Sequence, residues 1–419
     1  MNKRLFSLGL PSLPPIWRIR IALFLAGSTT FSLLYSPQAI LPQLAEGFGV
    51  SAAASALSIS VGTIGLAIAI FCSSILSGSC TRKALMLYSL LTASLLSLCG
   101  IHTSNWNIFV FFRFLSGVAL GGVPSIALVY LAEELPPAQL GAATGIYVAG
   151  NAFGGMSGRI IISLITEHIG WQHALDLLGG YSVLSSLAFA ALLPASRHFT
   201  KETSINLRYH FHAYVQQIIH PVLRWMYILP FTIMGVFVSV YNYIGFRLLG
   251  PEFHLSQTQV GLLFGIYVFG MVSSTIAGYL SDRMGQPKVI VAGIATILVG
   301  LLCSLTGILP GILLGLIIVT LGFFISHAAA SAWVGQLGGQ QRSHAAALYL
   351  LFYYFGSAVM GWLSGWFWQH AQWFGVVAFC GGFTLCALVI AVYLYTATRA
   401  PQATSNHHTS HPIGRDNAN

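Results

Sequence analysis

Charge is what this chain has least of. Its 419 residues hold nine Asp and Glu against eighteen Lys and Arg, so charged side chains make up 6% and hydrophobic ones 56%. At a mean hydropathy of +0.78 that shortage excludes a soluble globular protein and fits a polytopic helical membrane protein. The formal charge of +9 does not imply a nucleic-acid partner, because the basic residues are scattered over short loops and tails and not gathered on one face. Cysteine is sparse as well. Cys72, Cys80, Cys99, Cys303, Cys380 and Cys386 lie in or beside apolar runs, with no CxxC pair and no metal-like spacing, so they are expected to be core or lipid-buried thiols. No nucleotide-binding loop or strand-borne catalytic pattern is present, and Gly117 to Gly122 is a glycine-containing apolar helix, not a phosphate cradle. The chain is therefore expected to be no enzyme and to bind neither cofactor nor metal.

What it has instead is apolar length. Runs fall at about 20–43, 53–77, 84–101, 107–131, 140–165, 172–193, 225–249, 257–280, 288–308, 310–333, 344–367 and 373–397, which predicts an all-α fold of twelve membrane helices. An even number puts both ends on one side of the lipid bilayer. The basic residues, from Lys3 and Arg4 through Arg82, Lys83, Arg283 and Lys288 to Arg415, fall on that side, and only Arg247 approaches the other, so both termini are expected in the cytoplasm. The first run follows Arg18 and Arg20 as a signal peptide would, but it is too long, contains Ser and Thr, and lacks a cleavage site. It is kept as helix 1.

The polar stretch after the sixth run divides the chain. The expected organisation is a cytoplasmic segment 1–19, a six-helix bundle 20–193, a cytoplasmic central loop 194–224, a second bundle 225–397 and a cytoplasmic tail 398–419, whose His407, His408 and His411 belong to a polar end and not to a metal site. The halves echo each other. Tyr147, Gly154, His168 and Trp171 recur about 202 residues later as Tyr349, Gly356, His370 and Trp373, and Tyr35 has a counterpart in Tyr241, which argues for parallel six-helix repeats.

Between the eighth and ninth runs lies Gly278-Tyr279-Leu280-Ser281-Asp282-Arg283-Met284-Gly285-Gln286-Pro287-Lys288. Gly278 would let two helices approach, Gly285 would turn the chain at positive φ, and Pro287 would open the next helix. Asp282 suits a helix N-terminus, while Arg283 and Lys288 suit lipid headgroups. The stretch resembles the cytoplasmic loop signature of the major facilitator superfamily. Its second copy, Ser74 to Lys83, keeps a basic pair but has Gly78 at the acid position. The expected consequence is a one-sided latch in which Asp282 docks near the start of helix 5 and Ser343 caps helix 11.

The same resemblance extends to helix 4, where Arg113-Phe114-Leu115-Ser116-Gly117 is similar to a family motif whose basic residue faces the central cavity and assists proton coupling. In helix 5, Gly145 to Arg159 resembles the motif of drug:proton antiporters, with Asn151 in place of the proline that follows the first glycine of its core. Gly150, Gly154, Gly155 and Gly158 make a flat stripe on which a neighbouring helix can slide. Tyr130-Leu131-Ala132-Glu133-Glu134, the run Gly150 to Arg159, and Tyr241-Asn242-Tyr243-Ile244-Gly245 bring the chain closest to bacterial inner-membrane efflux-type permeases.

Ionisable groups at membrane depth are costly, which makes each a candidate for substrate binding or coupling. Arg113 and Arg159 stand at similar depth and would line a positive cavity wall; their bland alternatives are carbonyl pairing and snorkelling. Asp176, about a turn and a half into helix 6, is the one acid expected within the membrane and is a coupling candidate, or a structural salt-bridge partner of Arg159. His327 in helix 10 is a candidate proton carrier, or a neutral imidazole bonded to a backbone carbonyl. Helix 1 offers Thr29, Thr30, Ser32, Tyr35 and Gln38 but no acid, and helix 7 offers Tyr241, Asn242 and Tyr243; Asn151 would bond either substrate or a neighbouring backbone. Tyr353-Tyr354-Phe355 and Trp366-Phe367-Trp368 are expected to be packing and interfacial anchors.

The resemblance implies a monomeric secondary transporter in which two bundles rock about a midplane site. It implies proton-driven export of a small organic compound across a bacterial inner membrane, with uptake by symport and a non-transporting sensor as the alternatives.

Overall fold

The computed structural model describes residues 15–76, 81–196 and 207–405, with side chains at 15–72, 81–196 and 208–398. Gly78 of the weaker loop copy and the tail histidines lie outside the described residues. In the first half, helix 1 is Pro15–Phe48, helix 2 Ala52–Cys72, helix 3 Arg82–Ile101, helix 4 Trp106–Glu134, helix 5 Pro137–Ile169 and helix 6 Trp171–Leu192. A helix at Leu207–Ile219 follows, inside the stretch read as a loop. In the second half, helix 7 is Leu223–Leu249, helix 8 Gln257–Met284, helix 9 Gln286–Cys303 and helix 10 Leu309–Leu337. The remaining 64 residues, Arg342–Ser405, run as one helix interrupted at Ala371 (φ −140°) and Gln372 (φ 48°). Unbroken, it would reach about 96 Å, some three times the ~30 Å hydrocarbon core, so the interruption makes two spans, helix 11 (342–370) and helix 12 (373–398). Twelve membrane helices and no strand are present among the described residues.

Local chemistry explains the boundaries. Gly285 turns the chain at φ 83° as expected, and Pro287 stands in the first turn of helix 9. Helix 8 opens on a capping box, in which Ser256 Oγ accepts from Gln259 N and the Gln259 side chain accepts from Ser256 N. Helix 1 tightens to a 3₁₀ turn at Ser36–Ile40, because Pro37 has no N–H to give the Leu33 carbonyl. After helix 7, Arg247 Nε and Nη2 hold Glu252 at 3.1 and 2.9 Å. That bond keeps the Glu252 carboxyl below the usual carboxylate range.

The repeat is visible in the packing. Gly154 lies against the backbone of Ser28 in helix 1, and Gly356 lies in the same way against the backbone of Phe231 in helix 7. His168 and His370 each bond the carbonyl four residues back through Nδ1, both at 2.8 Å. Trp171 and Trp373 each begin the following helix. Gly150, Gly154 and Gly158 form one stripe, spaced by four, whose neighbour is helix 1 of the same half, meeting Phe24, Ser28 and Ser32; Gly155 points elsewhere, toward Arg159 and Phe31.

The halves meet at the side away from the termini. There Gln38 Nε2 donates to Asn242 Oδ1 (2.8 Å), Gln43 Nε2 to Gln257 Oε1 (2.7 Å), Gln257 Nε2 to the Ala39 carbonyl (2.6 Å) and Ser60 Oγ to the Ala358 carbonyl (2.8 Å). Thr258 N donates to Glu167 Oε2 at 2.6 Å, joining helix 8 to helix 5. Toward the termini those two helices part: a Cβ placed at Gly141, Gly145 or Gly278 meets nothing within 4 Å. Gly278 is therefore not at a close helix contact here, contrary to expectation. Asp282 is exposed and has no hydrogen bond or ion pair among the described residues, and helix 11 begins at Arg342 without a Ser343 cap. Any latch through Asp282 is open in this conformation. Asp282→Asn should change the stability of this open form by less than about 0.5 kcal/mol, yet lengthen the mean separation of spin labels at Gly141→Cys and Gly278→Cys. An unchanged distance distribution together with an unchanged transport rate would remove the latch.

Candidate functional site

A cavity of about 320 Å³ lies between the halves, on the open side of the seal, with walls from helices 1, 5, 7, 8, 10 and 11. Four of the substrate or coupling candidates line it, Tyr35, Asn151, Arg159 and His327, together with Gly155 and Tyr353. Arg159, on helix 5, is 3% exposed. Its guanidinium sits over the rings of Tyr35, Phe264 and Tyr267 at 4.5, 5.0 and 5.2 Å, and Nη1 donates to the Gly155 carbonyl. Asn151 Oδ1, about two turns earlier in helix 5, is buried without a hydrogen-bond partner among the described residues. Across the cavity, His327 Nδ1 bonds Tyr349 Oη at 2.9 Å, not a backbone carbonyl. Its ring lies parallel to Phe323 (5.8 Å, 1°) and 4.8 Å from Tyr353.

The other candidates are placed differently. Arg113 does not share the cavity wall with Arg159. It is buried beside the 3₁₀ break in helix 1, where Nη1 donates to the Leu33 carbonyl (3.0 Å), Nη2 to Leu34 (2.6 Å) and Nε to Ser58 of helix 2 (3.2 Å). Leu33 is the carbonyl that Pro37 leaves free, so the guanidinium caps a broken helix at its negative end. Asp176 does not reach Arg159; its Oδ1 faces His102 Nε2 at 3.2 Å, and both side chains are partly or largely exposed. Asn242 is spent on the seal, accepting from Gln38 and donating to the Gly361 carbonyl at 3.4 Å. Tyr241 is 1% exposed and bonded to Thr320 at 2.8 Å. It lies behind the cavity wall, with its ring 5.1 Å from that of Tyr267.

Sequence reasoning passed over Phe264 and Tyr267, two rings in an apolar run with nothing to separate them from core. It also read Tyr353 as packing, although Tyr349 and Tyr353 stand one turn apart and therefore share a face with each other. Trp366, 56% exposed, fits the interfacial reading.

The arrangement is two helical bundles around a closed-ended cavity that holds a few polar groups and no catalytic constellation. The major facilitator superfamily model matches residues 21–249 and 245–415. The inner membrane transport protein YnfM of Escherichia coli K12 is 37% identical over 393 residues, 92% of this chain and 93% of that one. The MFS-type transporter YybF of Bacillus subtilis 168 is 36% identical over 388 residues, 92% of this chain and 96% of that one. Among solved structures, a mutant of the nucleoside transporter NupG has the same fold at a TM-score of 0.72 and 13% identity, covering 91% of this chain and all of that one. A bacterial homologue of the lysosomal transporter Spinster, inward-facing and occupied, also gives 0.72 at 12% identity, covering 93% and 98%. With its paired bundles, central cavity and relatives matched over most of their length, this polytopic membrane protein belongs to the major facilitator superfamily and is a secondary transporter of a small-molecule substrate, not an enzyme.

Proposed function

We propose that the chain exports a small organic compound in exchange for protons, as a monomer in a bacterial inner membrane with its termini in the cytoplasm. The observation that carries this reading is one cavity bordered by Arg159 from the first half and His327 from the second, open toward the termini. The distribution of Lys and Arg assigns that side to the cytoplasm, so solute loads from within, and rocking of the halves releases it on the other side. Among the described residues no carboxylate lines the cavity. His327 is the lining group whose ordinary pKa falls in the physiological range, and it is assigned the coupling proton.

One observation favours a second reading, uptake by symport. The fixed charge in the cavity is Arg159, so a proton on His327 and an anionic solute would bind together and not compete. Vesicles reconstituted with the protein and given an imposed pH gradient separate the two. Solute moving against the proton flux supports export, and solute moving with it supports uptake. No movement across a broad metabolite and drug panel overturns both. His327→Asn is expected to abolish the response of solute movement to the gradient; an undiminished response would take the proton from His327.

A further inference from the structure

Transport alone leaves one charge in the cavity unexplained. Arg159 is buried and Nη1 is held by the Gly155 carbonyl, but Nε is buried with no acceptor among the described residues. Four described carboxylates are occupied elsewhere: Glu133 holds Arg82, Glu167 accepts from Thr258 N, Asp176 faces His102 and Glu252 holds Arg247. None of them lines the cavity. Three aromatic faces attract the guanidinium but do not neutralise it, and an ion this deep is costly unless something opposite in sign approaches. An aromatic cage commonly receives a cationic ligand. Here the cage is already filled by Arg159, and a second cation would be repelled.

The wall beyond the charge has a shape. From Arg159 the rings continue through Tyr267, which lies 5.3 Å from Phe237; Phe237 stacks on Phe323 at 4.0 Å and 14°, and Phe323 lies parallel to His327. This row is an apolar wall of successive rings, tilted by 47° between Tyr267 and Phe237 and parallel from there on, with a cation at one end and an imidazole at the other. A cavity of about 320 Å³ stands at the small end of the usual ~300–1,000 Å³ for ligand sites, which sets a metabolite-sized occupant.

We propose that the substrate is a small organic monoanion, its carboxylate-like head on Arg159 and its flat apolar body along the ring row from Tyr267 to Phe323. The proposal rests on reading this cavity as the solute site of a transporter, and it holds for either direction of transport. It is tested by binding without any gradient, so that its failure leaves proton coupling untouched and a flux that ignores the pH gradient leaves it untouched. The melting temperature of purified full-length protein is measured with benzoate, salicylate and cinnamate, and with benzamide, cinnamamide and benzylamine as neutral and cationic counterparts. The acids are expected to raise it and the others not. Arg159→Gln is expected to weaken the acids by roughly 30-fold or more, and Arg159→Lys to keep the preference for acids at reduced affinity. Amides or amines acting as strongly as the acids, no acid acting at all, or acids binding Arg159→Gln as they bind the parent would each overturn the proposal. If Arg159→Gln does not fold, the charge series on the parent protein decides.

Discussion

Arg113→Met is expected to destabilise the protein by several kcal/mol and to abolish transport with it. Three carbonyls, from Leu33, Leu34 and Ser58, lose their donor. Bonds to a charged donor are worth about 1.5–3 kcal/mol each, whereas an arginine at membrane depth costs roughly 2.5–3.5 kcal/mol on insertion scales. The bonds outweigh the cost of placing the cation, so its removal is a net loss. Pro37 cannot donate to Leu33, whose carbonyl keeps only Ser36 Oγ at 3.4 Å, and no water reaches the hydrocarbon to replace the guanidinium. Arg113→Lys keeps the charge but presents one compact ammonium where a planar fork spans two helices, so it should restore only part of the stability. Thermal melting in detergent checks both, with Leu33 and Leu34 hydrogen exchange as the local readout. A methionine variant that melts with the parent would show that the break in helix 1 stands without its cap.

The same residue shows where sequence stops being informative. Twelve apolar runs and the repeat were legible because each is a one-dimensional pattern: run length, and a constant offset between Gly154 and Gly356. The facing of a side chain on its helix is not such a pattern. Consecutive residues in a helix differ by about 100° in direction, so Tyr241 and Asn242 could be placed in a span but not assigned, one behind the cavity wall and the other to the seal. Polarity at membrane depth did find Tyr35, Asn151, Arg159 and His327, since a polar group there needs a reason. It could not find Phe264 and Tyr267, whose rings carry no such mark, and it paired Arg159 with Asp176 because opposite charges were scarce enough to invite the match. The link between the Pro37 break and Arg113, 76 residues apart in the chain, needed the fold to bring helix 4 against helix 1.

Gly154→Val is expected to be as damaging as the loss of Arg113, through packing alone. A Cβ at Gly154 would fall within contact distance of the Ser28 backbone, carbonyl oxygen included. Backbone cannot swing aside as the end of a flexible side chain can. Helix 1 would have to move outward, taking with it the 2.8 Å bond from Ser32 Oγ to the Gly154 carbonyl and the Tyr35 face of the Arg159 cage. Overpacking usually costs about 1–3 kcal/mol when side chains can yield, and this case, with a β-branched residue against main chain, should exceed that range. The repeat makes the result checkable twice: Gly356→Val meets the Phe231 backbone in the second half and should fail in the same way. Gly145→Ala, on the same helix as Gly154 but with open space around it, should instead gain about 0.5–1 kcal/mol, since alanine orders a helix more readily than glycine. Melting temperatures and detergent-stable yield of the three variants decide the matter. Equal tolerance at Gly154 and Gly145 would mean that helices 1 and 5 are not in backbone contact, and the cavity wall built on that contact would have to be redrawn.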